Sequence, residues 1–441
     1  MLISFGERML KMELEYNFFM RYYKNICRIL YSKGNLRNGM LFTFFSFLNN
    51  GISFIITLIM GRFVMPNSYG KLSMFTTMVS FLSIFICLGT NGFYSVEYFK
   101  STKDRICRLI NVTILSTLLV YIILILAIII FSSKLDRLLG IEFQFQIYAI
   151  TICLLQIFQF LLMDIWRLEE KVIKYGILTT VSVLLNLVLT SVFVMGLLWD
   201  WEGRVFAQVI SGALIGLSSV YILVKKKYIK KIAPMREDYA ESLKFGVPLI
   251  PHSMSFWLRQ GADRYVINYF ITQAAVGLYS FAYNFANIIN MVGMAFNSSY
   301  SVEIYKILSM EQINKKVVIK KECKMQLFIY SVISLLIFIG AYIFVPVIFP
   351  KYKDSIIYLF PLCIGALLQC CYLTFVNIIF FYKKSKNLMY ITFITSLLHV
   401  ALTFWVTRYG VIYTSYVIVV SNGIIATLVT LYSKRLLRQY C

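Results

Sequence analysis

Residues Phe245–Phe270 read FGVPLIPHSMSFWLRQGADRYVINYF, a stretch apolar enough for a bilayer that nevertheless holds His252, Arg259, Asp263 and Arg264. A charged side chain near the centre of a membrane helix costs roughly 2.5–3.5 kcal/mol on insertion scales. It is kept where it faces the protein interior or a wet cavity. Counted from Pro248, Arg259 lies about eleven residues into the span, roughly 17 Å deep and near the midplane. At about 100° per residue, His252, Arg259 and Asp263 fall within about 40° of one another, with Arg264 about a quarter-circle away. Two readings fit this stripe. Arg259 and Asp263, four residues apart, form a structural ion pair; or the face is a cationic lining for an anionic substrate, since a paired Asp263 still leaves one arginine over.

Outward from this stretch the chain has the same character. Hydrophobic residues make up 59% of the 441 and charged residues 14%, with a mean hydropathy of +0.75. That composition excludes a soluble protein. Uncharged runs of membrane-spanning length occupy 38–61, 72–96, 109–133, 143–163, 175–199 and 205–224, and then 325–350, 355–382, 387–407 and 409–433. The run 265–302 is about 57 Å long as helix, too long for one span. It is expected to fold back at Ile271-Thr272-Gln273-Ala274, its first part ending the charged span. The prediction is an all-α, polytopic bundle of twelve transmembrane helices in two six-helix lobes around a central cleft.

The net charge of +23 is no nucleic-acid footprint. Of the 43 Lys and Arg, 33 fall on one set of alternating inter-span segments and the tails. Eight lie on the other set (Arg62, Lys71, Lys134, Arg137, Arg204, Lys351, Lys353 and Arg408), and Arg259 and Arg264 lie within a span. By the positive-inside rule this places both termini in the cytoplasm, the excess also attracting anionic lipid heads. The nine cysteines form no CxxC pair and only two histidines are present, so no metal or other cofactor is implied.

The organisation expected is an amphipathic, cytoplasmic N-terminal segment at 1–37, unless translation begins at Met20, then an N-lobe at 38–224 and an inter-lobe loop at 225–240. The C-lobe takes 241–433 and a tail 434–441. Six spans per lobe make any repeat parallel, about an axis along the membrane normal. A weak repeat pairs Gly61-Arg62-Phe63-Val64 and Tyr69-Gly70 with Asp263-Arg264-Tyr265-Val266 and Val276-Gly277, given a five-residue gap. It makes spans 1 and 7 counterparts flanking the cleft.

Span 8 carries a second polar feature. Tyr279, Tyr283, Asn287, Asn290, Asn297 and Ser301 lie within about 40° of one helix line. Neutral donors and acceptors suit sugar hydroxyls; equally, they serve as interhelical links. Span 1 adds Asn49, Asn50 and Ser53, span 4 Gln156 and Gln159, span 10 Gln369, Tyr372 and Asn377, and span 11 His399. Taken singly, those of spans 4, 10 and 11 read as structural. Of twenty Asp and Glu, Asp263 alone lies well inside a span. A cation exporter needs an intramembrane carboxylate to exchange protons or sodium against cargo; here the interior bias is positive.

Three stretches carry a family resemblance: LKFGVPLIPHSMSFWLRQGADRYVINYF (Leu243–Phe270), AAVGLYSFAYNFANI (Ala274–Ile288) and NGISFIITLIMGRFVMPNSYGKLSMF (Asn50–Phe75). The chain resembles the polysaccharide flippases of the multidrug/oligosaccharidyl-lipid/polysaccharide exporter superfamily, from about Asn38 onward. The resemblance implies no enzyme activity. It implies a bacterial cytoplasmic-membrane flippase that turns O-antigen or capsule repeat units on polyprenyl diphosphate from the inner to the outer leaflet by alternating access. Its partners would be the lipid-linked oligosaccharide, membrane lipid and other polysaccharide-assembly membrane proteins, with no nucleic acid. A diphosphate calls for charge-assisted, bidentate partners. Arg259, Arg264, His252 and Arg62 would hold it; Asn287, Asn290, Asn297, Tyr283, Asn49 and Asn50 would face the sugars, with Asp263 for coupling or ion pairing. Drug exporters of the superfamily use an acid in span 1, which this chain lacks; a cation-coupled multidrug exporter is therefore the second reading. A glycan polymerase or ligase, which needs a sizeable outer loop, is the third.

Overall fold

The computed structural model describes residues 35–309 and 315–440, apart from the side chains at 35–37, 138, 298 and 299. The expected amphipathic segment therefore lies, up to residue 34, outside the described residues. Among the described residues there is no strand. The N-lobe contains α1 (Asn35–Phe63), α2 (Pro66–Ile86), α3 (Thr90–Glu97), α4 (Lys103–Leu139), α5 (Phe143–Leu168), α6 (Val172–Thr190) and α7 (Trp201–Lys225). After α8 (Arg236–Gly246) the C-lobe contains α9 (Ile250–Gln260), α10 (Ala262–Phe270), α11 (Gln273–Ser309) and α12 (Lys315–Ile348). It ends with α13 (Ile356–Phe381), α14 (Ser385–Val406) and α15 (Val411–Tyr440). Ten helical segments of the described chain are long and apolar enough to cross a membrane. The broken segment α9–α10 and the polar-tracked α11 complete the twelve-helix bundle.

The turns follow from local chemistry. Pro66 opens α2 in its first turn, where a missing N–H costs nothing. Gly140 closes α4 at φ +63, a left-handed position that favours glycine. The expected fold-back is present, with α10 ending at Phe270 and α11 beginning at Gln273. Thr272 Oγ1 accepts there from the Ala275 N–H (3.2 Å) and caps the new helix.

Two expectations need correction. The inter-lobe segment is helical from Arg236 onward rather than loop to residue 240. A short, charge-rich helix escapes any search for apolar runs; Asp238, which accepts from the Met235 N–H (3.0 Å), starts it. Span 7 is not one straight helix but α9 and α10, broken at Gly261. Trp257 fills the space beside that glycine: a Cβ on Gly261 would meet the indole Nε1 at 2.8 Å. The same Nε1 donates to the Thr77 carbonyl of α2 (3.0 Å).

The lobes meet where α2 crosses α11. A Cβ on Gly70 would lie 1.9 Å from the Gln273 carbonyl oxygen, and one on Gly277 would lie 1.8 Å from that of Pro66. Three residues beyond each glycine, Ser73 Oγ donates to Ser280 Oγ (2.7 Å). This reciprocity is what an approximate two-fold axis between the helices produces. The largest buried apolar cluster surrounds this crossing, with Phe75, Met74, Tyr279 and Phe281 fully enclosed. The bundle's outer faces expose Ile122, Ile130, Phe328 and Leu336, as lipid contact requires.

Candidate functional site

Breaking the span at Gly261 sends its charged residues to different surroundings. Arg259, at the end of α9, is 5% exposed. Its Nη1 donates to Asn422 Oδ1 over 3.5 Å and its Nε to the Ser255 carbonyl over 3.4 Å. The guanidinium also sits 5.2 Å above the Phe256 ring. These are long bonds to neutral groups, so the cation has donors to spare. It faces a narrow cavity shared with Tyr283, Asn287 and Asn290 of α11, Gln369 of α13 and Asn422 of α15. The Asn290 Oδ1 acceptor in that wall is buried without a partner among the described residues.

Arg264 lies just past the break. Its Nε donates to Ser73 Oγ (2.8 Å), its Nη1 to the Gln260 carbonyl, and its plane covers the Tyr283 ring at 4.8 Å. It borders two further cavities. One, of about 770 Å³, includes Gln260, Tyr283 and Asn287 and so adjoins the Arg259 chamber. The other, of about 600 Å³, enters the N-lobe between Ser53, Thr57, Asn284 and Arg204. Three arginines thus line three chambers that share lining residues around the lobe crossing. Among the described residues no Asp or Glu lines any of them.

Asp263 is elsewhere, and no ion pair joins it to Arg259 among the described residues. It is 1% exposed and saturated with donors: Tyr279 Oη to Oδ2 (2.7 Å), His399 Nε2 to Oδ1 (2.9 Å) and Thr403 Oγ1 to Oδ1 (3.1 Å). His399, fully buried, places its Nδ1 2.9 Å from Ser421 Oγ. The predicted stripe assumed an unbroken helix; the break supplies Asp263 with partners from α11 and α14 instead.

Of the sequence candidates, the structure brings together Arg259, Arg264, Tyr283, Asn287 and Asn290. Gln369, which read as structural, and Ser53 also line chambers, whereas the remaining site candidates do not. His252 packs edge-on against Phe256 (5.3 Å) and lines none of the three chambers. Arg62, exposed at the end of α1, donates to the Ile348 carbonyl at the end of α12 (3.3 Å). Asn49 accepts from Thr180 of α6 (3.0 Å) and Asn297 from Asn377 of α13 (2.8 Å), so both link helices. Asn50 also lies outside the three linings.

Sequence reasoning missed Arg204, Gln260 and Asn422. Arg204 counted as an outer-loop cation because it precedes the uncharged run of α7. It lies in that helix's first turn and donates to Asn186 and to Thr190 Oγ1 (3.0 Å), pointing inward. The signal was the helical spacing of Arg204, Gln208 and Ser211 on one face. Gln260 gave none, standing between two louder residues.

The family described as "Polysaccharide biosynthesis protein" matches residues 35–302, more than half the chain. The chain belongs to that family. An Lsg-locus protein of Haemophilus influenzae is 23% identical over 372 residues, covering 81% of this chain and 88% of the relative. Among solved structures, the inward-facing form of a multidrug resistance MATE family transporter of the MOP superfamily superposes with a TM-score of 0.72 at 16% identity. It covers 89% of this chain and 94% of its own. An outward-facing form gives 0.59 at 15% identity, covering 90% and 94%. The family member thus has the MATE-type fold of two helical lobes and is a multi-pass membrane protein.

Proposed function

We propose that the chain is a flippase that moves polyprenyl-diphosphate-linked oligosaccharide repeat units from the inner to the outer leaflet of the bacterial cytoplasmic membrane. The observation that carries this reading is the buried, acid-free chamber into which Arg259 projects. An arginine kept from water without a carboxylate partner is an unfavourable arrangement, and an anionic ligand removes the cost. Arg259 and Arg264 can each grip a phosphate with two parallel N–H donors, which lysine cannot do. Tyr283, Asn287, Asn290 and Gln369 offer neutral donors and acceptors for sugar hydroxyls, and the lipid tail stays in the bilayer. The chambers straddle the crossing of the lobes, where an alternating-access motion would change their exposure. Asp263, saturated by His399, is assigned to coupling rather than to substrate. The acid-free lining weighs against a cation-coupled drug exporter.

In cells lacking their own flippase, Arg259→Ala is expected to abolish surface glycan while the protein still reaches the membrane, and Arg259→Lys to retain part of the activity. Full glycan display by Arg259→Ala would remove the diphosphate role. The orientation follows from the Lys and Arg asymmetry, which puts α8 and both termini in the cytoplasm. A cysteine probe at Asn67 or Asp200 should therefore react with an impermeant label on intact cells, and one at Lys230 or Lys316 should not. Outside labelling at Lys230 would invert the topology.

A further inference from the structure

We infer that a groove at the end of the C-lobe binds a phospholipid bearing two phosphates, of the cardiolipin class. The groove opens to its surroundings between α12 and α15. Its walls carry Lys316, Lys320 and Lys324 on α12 and Lys434 and Arg438 on α15. Its floor is apolar, made of Ile319, Leu327, Phe375 and Leu437. No acid lines it.

The lack of acids is the informative point, because cations at the corresponding end of the N-lobe are neutralised. Arg108 pairs with Asp238 (2.8 Å), Arg105 with Glu241 (2.6 Å) and Lys230 with Asp104 (2.6 Å). None of the five groove cations has an ion pair or hydrogen bond among the described residues. Five like charges held around one opening repel each other, and an anion relieves that repulsion. The apolar floor selects an anion with a hydrocarbon tail.

The groove also sits at the right depth. The lysines end at Lys324, where the uncharged part of α12 begins; Met325, Phe328 and Leu335 beyond it are exposed to lipid. A headgroup on the lysines would thus leave its chains in the hydrocarbon. The number of phosphates follows from spacing. Lys316 to Lys324 extends about 12 Å along the helix, more than one phosphate can bridge. The second wall adds two more cations across the opening. Two phosphates joined by glycerol span such a cradle, and basic pockets of this kind at membrane-helix ends suit these headgroups. Four of the five are lysines, point charges that hold a mobile headgroup without fixing its orientation.

The test is a titration of delipidated, detergent-solubilised protein with cardiolipin, phosphatidylglycerol and polyprenyl diphosphate, reading one-to-one complexes by native mass spectrometry. Cardiolipin should bind most tightly. Removing one wall (Lys316→Gln, Lys320→Gln and Lys324→Gln together) should weaken it about tenfold or more, given the contribution of each basic residue near a charged headgroup. The other wall, Lys434→Gln with Arg438→Gln, provides a second variant with the same expected direction. The same triple change at exposed Lys225, Lys226 and Lys227 should leave cardiolipin affinity within about twofold, since none of those lysines lines the groove. Equal weakening in that control would reduce the effect to general surface charge. Equal affinity for phosphatidylglycerol would remove the two-phosphate requirement. Tighter binding of polyprenyl diphosphate would give the groove to the carrier lipid. Each of these three results overturns the inference, as would unchanged cardiolipin binding in both wall variants.

Discussion

Arg259 and Asp263 are four residues apart in the chain and have opposite environments. Asp263 accepts three bonds of 2.7–3.1 Å from Tyr279, His399 and Thr403. Arg259 makes two of 3.4 and 3.5 Å and keeps the rest of its donors turned toward a chamber. Both are buried. The difference shows that burial of a charge does not itself indicate function. A satisfied charge organises its neighbours, whereas an unsatisfied one beside open space is equipped for a ligand.

The comparison is most strongly tested through stability. Asp263→Ala leaves a hydroxyl, an imidazole and a phenol buried without their acceptor, and is expected to cost about 3–5 kcal/mol, the range for breaking a buried pair. Arg259→Ala removes a poorly paired charge and should leave stability near that of the parent or raise it. Thermal unfolding of the purified variants in one detergent checks both. Comparable losses at the two sites would erase the distinction.

A smaller effect sharpens it. Were Arg259 present to neutralise Asp263, neutralising both would restore what either single change lost. Because no ion pair connects them, the cycle of Arg259→Gln, Asp263→Asn and the double variant should show an interaction energy below about 0.5 kcal/mol, within the additivity of independent sites. Recovery of glycan export in the double variant would establish a structural pair.

The fold was legible because hydropathy and the placement of Lys and Arg are properties of whole segments, insensitive to local detail. The fold-back at Ile271–Ala274 followed from length alone. The site was legible only in part. A helical wheel presumes a continuous helix, so it could not separate Arg259 from Asp263 once Gly261 interrupted the span. The partner of Asp263 is His399, 136 residues away, a contact that no local spacing encodes. Arg62 was misplaced for a related reason. It matches Arg264 in the weak repeat, yet α1 ends one residue past Arg62, at Phe63, while α10 continues to Phe270. That additional length is the five-residue gap in the repeat. It puts Arg264 roughly 7.5 Å farther from its helix end, inside the bundle, and leaves Arg62 at the margin. The glycines of the same repeat, Gly70 and Gly277, did mark the crossing of the lobes.

The most direct test is transbilayer movement of a fluorescent polyprenyl-diphosphate oligosaccharide in proteoliposomes containing only this protein. Accessibility of the label to an external quencher reports the leaflet. The parent protein should equilibrate the lipid across the bilayer, Arg259→Ala should fall to the protein-free rate, and Arg259→Lys should lie between. The corresponding polyprenyl lipid without its diphosphate should not be moved. Movement by Arg259→Ala at the parent rate, or equal movement of the phosphate-free lipid, would contradict an arginine-held diphosphate.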